Sequence, residues 1–156
     1  MTRSLPLLRQ EREDSCALAC LRMVLAGRGT VVTEAELEQR VQREEGGTEI
    51  DELERLARSF GLVATCQETT AGQIRSLLIA DSDVIAYINR AVFDLRTLTT
   101  LVPALRSLCV HAVVPTLVTA RHVRFHDPRL PEVVCKTIRR FEAAQRHMRS
   151  VCLVLQ

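Results

Sequence analysis

The chain has 156 residues, of which 47% are hydrophobic and 26% charged, and this predicts one globular domain over residues 1–156 with its own core. The formal net charge of +2 and the aromatic content of 3% give no reason to expect nucleic acid or a membrane surface as a partner. No apolar run reaches the about 18 residues that a membrane-spanning helix needs. The N-terminal stretch lacks a signal-peptide pattern, so we expect a soluble, cytoplasmic protein.

The first part of the chain is predicted to be helical. Residues 16–27 place apolar side chains at helical spacing and run into two glycines that stop the helix. Residues 33–45 open with a capping box, in which Thr33 is followed three positions later by Glu36, and they predict an exposed amphipathic helix. A third helix over 48–61 carries its apolar residues on one face.

Strand signals dominate after Gly61, which makes the chain an α+β protein rather than a parallel α/β one. Pro115 lies within a predicted strand and has no amide donor, so we expect an edge position or a β-bulge there. The predicted elements are strands over 62–68 and 83–89, a helix over 70–80, an antiparallel pair over 109–120 and 121–128, a helix over 131–149 and a closing strand over 150–156. Residues 90–108 fit either a helix or a long loop.

Four residues together suggest thiol chemistry. Cys16 begins the first helix, where the macrodipole and the unpaired amides lower the pKa of a thiol. His111 lies in one predicted strand and Asp127 in the next, so an antiparallel pairing can place the carboxylate beside the imidazole. Gln10 lies just upstream of Cys16 and could donate its side-chain amide to an oxyanion, together with the Cys16 amide.

Each of these residues alone has an ordinary structural explanation. A cysteine on an apolar helix is usually part of the core, and a histidine among valines is usually a half-buried polar group. Asp127 before Pro128 is typical of a turn, and Gln10 alone is typical of a surface. Only their joint order and spacing support a catalytic site.

The segment QEREDSCALACLRMVLAGRG resembles the opening motif of the bacteriocin-processing, or double-glycine, peptidases, the thirty-nine family of papain-like cysteine peptidases. Gln10, Cys16 and Cys20 fall on the glutamine, the nucleophilic cysteine and the second cysteine of that motif. HAVVPTLVTARHVRFHDP resembles the closing motif, with His111 and Asp127 on its histidine and aspartate. The resemblance runs from about Gln10 to the C-terminus and is poorest over 90–108.

This resemblance implies a papain-like fold in which the nucleophile helix packs on a C-terminal antiparallel β-sheet. It also implies a cysteine endopeptidase with Cys16 as nucleophile, His111 as base, Asp127 as orienting acid and Gln10 in the oxyanion hole. The expected partner is a peptide or protein substrate, and a partner protein encoded nearby stays open. No metal or organic cofactor is required. The chain looks like a stand-alone member, because the transporter segments found in the best-known members have no counterpart here.

The sequence departs from the family pattern around the nucleophile and after the histidine. Ser15 and Ala17 replace the usual aspartate and glycine that flank the cysteine, and Leu117 stands near a position that commonly holds glycine. These changes leave the triad intact. Two alternatives to hydrolysis therefore stay open: an acyl-transfer or cyclising enzyme that uses the same triad, and a degenerate module that binds a peptide without cutting it.

Other candidate groups receive structural interpretations. Cys20 is assigned to the core, and no Cys-x-x-Cys pair indicates a zinc site. His126 is expected to face away from Asp127 and to be exposed. Asp14 and Ser15 are expected to cap the nucleophile helix. The pair at 46–47 resembles a double-glycine cleavage site but is interpreted as a helix terminator.

Overall fold

The computed structural model describes residues 4–41, 47–94 and 110–156. The helices are α1 (Cys16–Gly27), α2 (Glu34–Glu38), α3 (Ile50–Ser59), α4 (Ala71–Ile79), α5 (Ala91–Asp94) and α6 (Ile138–Arg146). The strands are β1 (Ala64–Glu68), β2 (Asp83–Asn89), β3 (Val110–Val118), β4 (His122–His126), β5 (Val134–Thr137) and β6 (Val151–Leu155). Within the described ranges, no helix has the length and apolar character needed to span a bilayer.

The helices confirm most of the sequence prediction. α1 has the predicted bounds, and α3 lies inside the predicted range and buries Leu53, Leu56 and Ala57. The Thr33–Glu36 capping box is present at the start of α2. However, α2 ends at Glu38, so the helix predicted over 33–45 is too long; residues 42–46 of that prediction lie outside the described part.

The prediction of one helix over residues 131–149 is wrong. Residues Val134–Thr137 form a strand that pairs with β4, and α6 begins only at Ile138. Thr137 is the N-cap of α6 and accepts a hydrogen bond from the Arg140 amide. The partner strand supplies ladder hydrogen bonds that the local sequence pattern does not reveal, and it overrides the helical spacing.

The six strands form an antiparallel sheet in the order β1-β6-β2-β3-β4-β5. The last strand in the chain therefore lies between β1 and β2. Pro115 sits in β3, which has neighbours on both sides, and the register with β4 shifts between Pro115 and Leu117. This bulge accommodates the missing amide donor, as expected.

Helices cover both faces of the sheet. α1 and α3 pack against one face, where Ile85, Tyr87 and Leu153 belong to the same apolar cluster. α4 and α6 pack against the other face with a second cluster built around Phe125 and Phe141. The pattern confirms an α+β fold in which α1 packs on the antiparallel sheet, and α1 contacts β3, the strand that carries His111.

Candidate active site

Cys16 is the first residue of α1, as predicted, and its side chain is half-buried. The residues that follow it are buried in the core, which fixes the helix against the sheet. The backbone N–H groups of a helix point toward its N-terminus, and those of the first turn of α1 have no acceptor within the helix. Cys16 therefore lies at the positive end of a packed helix.

Ser15 occupies the N-cap position, but the prediction that its side chain caps the helix is wrong. Its hydroxyl donates to the Arg12 carbonyl at 3.0 Å and accepts from the Arg12 amide at 3.1 Å. The Ser15 hydroxyl thus closes the loop before the nucleophile and leaves the amides of the first turn to other acceptors. Asp14, the other residue suggested as a cap, does not occupy the N-cap position.

His111 and Asp127 form a buried pair across the β3–β4 hairpin. The His111 Nε2 atom lies 2.7 Å from the Asp127 Oδ1 atom, and the two residues are only 2% and 3% exposed. Asp127 Oδ1 also accepts the Arg129 amide at 2.8 Å. Because two donors share this oxygen, the carboxylate is fixed and in turn fixes the ring.

Cys16 contacts the other side of the His111 ring. The thiol lies close enough to the imidazole for each group to shift the pKa of the other, and since Nε2 faces Asp127, the nitrogen left for the thiol is Nδ1. Burial opposes ionisation of Cys16, but His111 and the amides of Ala112 and Ala17 lower the pKa of the thiol below its usual value.

The pKa values of the other two groups shift in the complementary directions. Burial disfavours the imidazolium, yet the hydrogen bonds to Asp127 and Cys16 raise the pKa of His111. Burial also opposes the Asp127 carboxylate, but the His111 ring and the Arg129 amide lower the pKa of that carboxyl. A lowered thiol pKa beside a raised imidazole pKa favours a thiolate–imidazolium pair.

Gln10 lies in the same loop region, but its amide points to the backbone. Its Nε2 atom donates to the carbonyls of Arg12 at 2.6 Å and Glu13 at 2.9 Å. Its Oε1 atom is buried and has no hydrogen-bond partner among the described residues. In this conformation Nε2 is engaged with the loop, and a bond to an oxyanion requires one of these two bonds to open.

The segment with Gln10 and the turn after Asp127 are bound to each other. The backbone N–H of Gln10 donates to the Pro128 carbonyl at 2.9 Å, and the Arg129 guanidinium donates to the Glu13 carbonyl at 2.8 Å. Arg90 Nε lies 3.9 Å from Asp127 Oδ2. Sequence reasoning missed Arg90 and Arg129, because neither belongs to a motif and both reach the site only through tertiary packing.

Cys20 and His126 are the other candidates for a role in thiol chemistry, and the structure confirms the prediction for the first and not for the second. Cys20 is fully buried and its pKa is raised well above the usual value by burial, which confirms its assignment to the core. His126 is 7% exposed, so the prediction of an exposed side chain is wrong. It is covered by the N-terminal segment and hydrogen-bonds the Pro6 carbonyl, while burial lowers its pKa.

One group of potential metal ligands lies outside the thiol site. Asp51, Glu54 and Cys66 place one ligand-type atom each within 4.8 Å of one another. Burial and the neighbouring Glu54 raise the pKa of Cys66 to about 12, and Glu54 is paired with Arg58. Acidic side chains at a protein surface are often grouped without binding a metal, so this group receives no assignment.

Comparisons with known proteins identify the family and the fold of the chain. The sequence model described as the Peptidase C39 family matches residues 4–93, which is more than half of the chain. No curated protein sequence matches the chain.

Three solved structures share the fold at low sequence identity. A double glycine motif protease from an AMS/PCAT transporter, in complex with the leader peptide, is 18% identical with a TM-score of 0.72, covering 99% of this chain and 92% of that one. A C39-like peptidase from Bacillus anthracis is 17% identical with a TM-score of 0.75, covering 98% and 94%. The peptidase domain of Streptococcus ComA, a bi-functional ABC transporter, is 15% identical with a TM-score of 0.74, covering 97% and 98%. These similarities establish the papain-like α+β fold.

Proposed function

The chain belongs to the Peptidase C39 family and is a cysteine peptidase, and we propose that it cuts peptides with Cys16 as nucleophile, His111 as base and Asp127 as orienting acid. The observation that carries this proposal is the buried His111 ring, which bridges the Cys16 thiol and the Asp127 carboxylate. The base touches the nucleophile and the acid touches the base, which is the arrangement that nucleophilic catalysis requires.

The proposed reaction begins with the thiolate–imidazolium pair. The Cys16 sulfur attacks the scissile carbonyl, the carbonyl π electrons move onto its oxygen, and a tetrahedral oxyanion forms. Collapse of the oxyanion breaks the C–N bond, and His111 gives its proton to the leaving amine. Water then gives one proton to His111 and adds to the thioester carbonyl. Collapse of this second tetrahedral intermediate breaks the C–S bond, releases the acid product and restores the thiolate–imidazolium pair.

Asp127 holds the ring so that Nδ1 faces the sulfur throughout this cycle. Its carboxylate also stabilises the positive charge on the ring, which is the role of the third member in triads generally. The two donors on Oδ1 keep the carboxylate from rotating. The triad therefore needs no rearrangement before the first step.

We also propose that Gln10 donates to the oxyanion together with the Cys16 amide. Support comes from its place in the loop before the nucleophile, and its amide must first exchange a bond to Arg12 or Glu13. The oxyanion that forms on a bound peptide supplies a new acceptor for this donor.

The proposed substrate is a peptide with small residues, such as a double glycine, before the cleaved bond. The structural neighbour in complex with a leader peptide motivates this choice.

We further propose that residues 1–156 act as one domain, since one sheet joins both core clusters. We also propose that the peptidase works in the cytoplasm. The five cysteines of the described residues are free thiols, which suits a reducing compartment; they are Cys16, Cys20, Cys66, Cys135 and Cys152.

The test of the nucleophile is alkylation at about pH 6, where an ordinary thiol is almost fully protonated. Iodoacetamide should modify Cys16 in this condition, and peptide mass spectrometry identifies the labelled position. Cys135→Ser serves as the background, because Cys135 is exposed and would otherwise compete for the reagent.

Activity is measured with a fluorogenic peptide that ends in Gly-Gly before the reporter. Cys16→Ala should abolish cleavage, and Cys20→Ala is the matched control one helical turn away. Unchanged labelling and cleavage in Cys16→Ala would refute the assignment.

A further inference from the structure

The side-chain amide of Gln10 donates to the backbone carbonyls of Arg12 and Glu13, and each carbonyl has a second donor. The Arg12 carbonyl also accepts the Ser15 hydroxyl at 3.0 Å. The Glu13 carbonyl also accepts the Arg129 guanidinium at 2.8 Å. The Gln10 amide can therefore leave either carbonyl without creating an unpaired acceptor.

The backbone around Gln10 is held at both sides of the side chain. The backbone N–H of Gln10 donates to the Pro128 carbonyl at 2.9 Å. The next amide, of Glu11, donates to both carboxylate oxygens of the buried Glu34 at 3.1 Å. A change of bonding partner at Gln10 is thus a rotation of its side chain within a fixed loop.

The resting position also leaves the Gln10 amide incompletely bonded. Its Oε1 atom is buried without a partner among the described residues, and a buried unpaired acceptor costs free energy. A turn that brings Oε1 to a donor or to water would recover this cost. The loop therefore holds Gln10 in a position from which one of its N–H groups can turn away.

We propose that Arg129 is a positioning residue for the reaction, which it serves by satisfying the Glu13 carbonyl when Gln10 turns an N–H group to the oxyanion. This inference rests on the proposed function, with Gln10 as an oxyanion donor. With the guanidinium present, the Glu13 carbonyl keeps one of its two described donors after Gln10 turns; without it, the carbonyl keeps neither. The transition state would then lose stabilisation that the resting state keeps.

The test is a double-substitution cycle on kcat and KM for the Gly-Gly fluorogenic peptide. Arg129→Met removes the guanidinium but keeps the Arg129 amide that bonds Asp127 and the carbonyl that accepts Arg9. We expect kcat to fall about tenfold with KM little changed, since a whole oxyanion donor is worth about 100-fold or more. Arg9→Met is the matched control, because it removes a neighbouring guanidinium that does not bond Glu13, and it should leave kcat within about twofold.

The second arm of the cycle uses Gln10→Ala. In that background Arg129→Met should have no further effect on kcat, because the donor that it assists is gone. An equal loss of kcat in both backgrounds, or no loss in the parent chain, would overturn the inference. Failure of the proposed function would look different, since Cys16→Ala would then cut the peptide as fast as the parent chain.

Discussion

Replacement of Asp127 by asparagine tests how the triad is held. The Oδ1 atom accepts two N–H donors, His111 Nε2 at 2.7 Å and the Arg129 amide at 2.8 Å. In Asp127→Asn the amide oxygen should take this position, because the NH2 group would face two donors there. The ring would then keep its orientation, with Nδ1 toward Cys16, and lose the negative charge beside it. The NH2 group would replace the oxygen that lies 3.9 Å from Arg90 Nε, so this ion pair is lost as well.

The size of the effect follows from that difference. A hydrogen bond to a charged group contributes about 1.5–3 kcal/mol and a neutral one about 0.5–1.5 kcal/mol, so the loss is about 1–2 kcal/mol. This corresponds to a fall in kcat/KM of about 5- to 30-fold, far less than the loss expected if the tautomer were disturbed.

The dependence of kcat/KM on pH shows in which direction Asp127→Asn changes each pKa. Asp127 raises the pKa of His111, so Asp127→Asn should lower that pKa and move the alkaline limb of kcat/KM to lower pH. The His111 imidazolium also lowers the pKa of Cys16. Because Asp127→Asn makes this imidazolium less stable, the pKa of Cys16 should rise and the acid limb of the profile should move to higher pH. The bell-shaped profile should therefore narrow from both sides.

The assay is kcat/KM against pH for the Gly-Gly fluorogenic peptide. Asp83→Asn is the matched control, because Asp83 is a buried carboxylate that pairs with Arg28 at 2.8 Å and does not contact the triad. It should lower the stability and leave the width of the profile unchanged. A profile of parental width in Asp127→Asn would refute the reasoning about charge.

Three further substitutions test the supporting structure, each by urea unfolding. Gly47→Ala should cost about 1–3 kcal/mol, since Gly47 has φ +111° and an added Cβ would lie 3.0 Å from the Asp14 carbonyl oxygen; Gly29→Ala, with open space around it, controls for backbone strain alone. Phe125→Ala should cost about 3–5 kcal/mol, because Phe125 is fully buried between two other rings. Glu34→Gln should cost about 1–3 kcal/mol through the Glu11 amide and Arg22. Changes below about 0.5 kcal/mol would contradict these assignments.

The sequence predicts the elements whose signals are local. The apolar spacing and the glycines define α1, and the capping box marks the start of α2. The β3–β4 hairpin and its bulge at Pro115 follow from two strand-like runs and one missing amide donor. The hairpin carries His111 and is followed directly by Asp127, so the local pattern predicts that these two side chains approach each other. The approach of Cys16 to His111 is expected only from the joint spacing and the resemblance to the peptidase family.

The features that sequence analysis missed depend on contacts between distant segments. β5 forms because β4 is available to pair with it, and His126 is buried because the N-terminal segment crosses it. The side-chain amide of Gln10 finds its acceptors in a loop whose path no motif specifies. Such contacts depend on tertiary packing rather than on local propensity.

The position of β6 in the sheet makes one short strand common to both cores. β6 (Val151–Leu155) lies between β1 and β2, so β1 reaches the rest of the sheet only through it. Leu153 and Leu155 belong to the apolar cluster beneath α1, while Cys152 belongs to the cluster around Phe125. Loss of β6 would therefore open both cores at once, and α1 would lose part of the surface against which it packs.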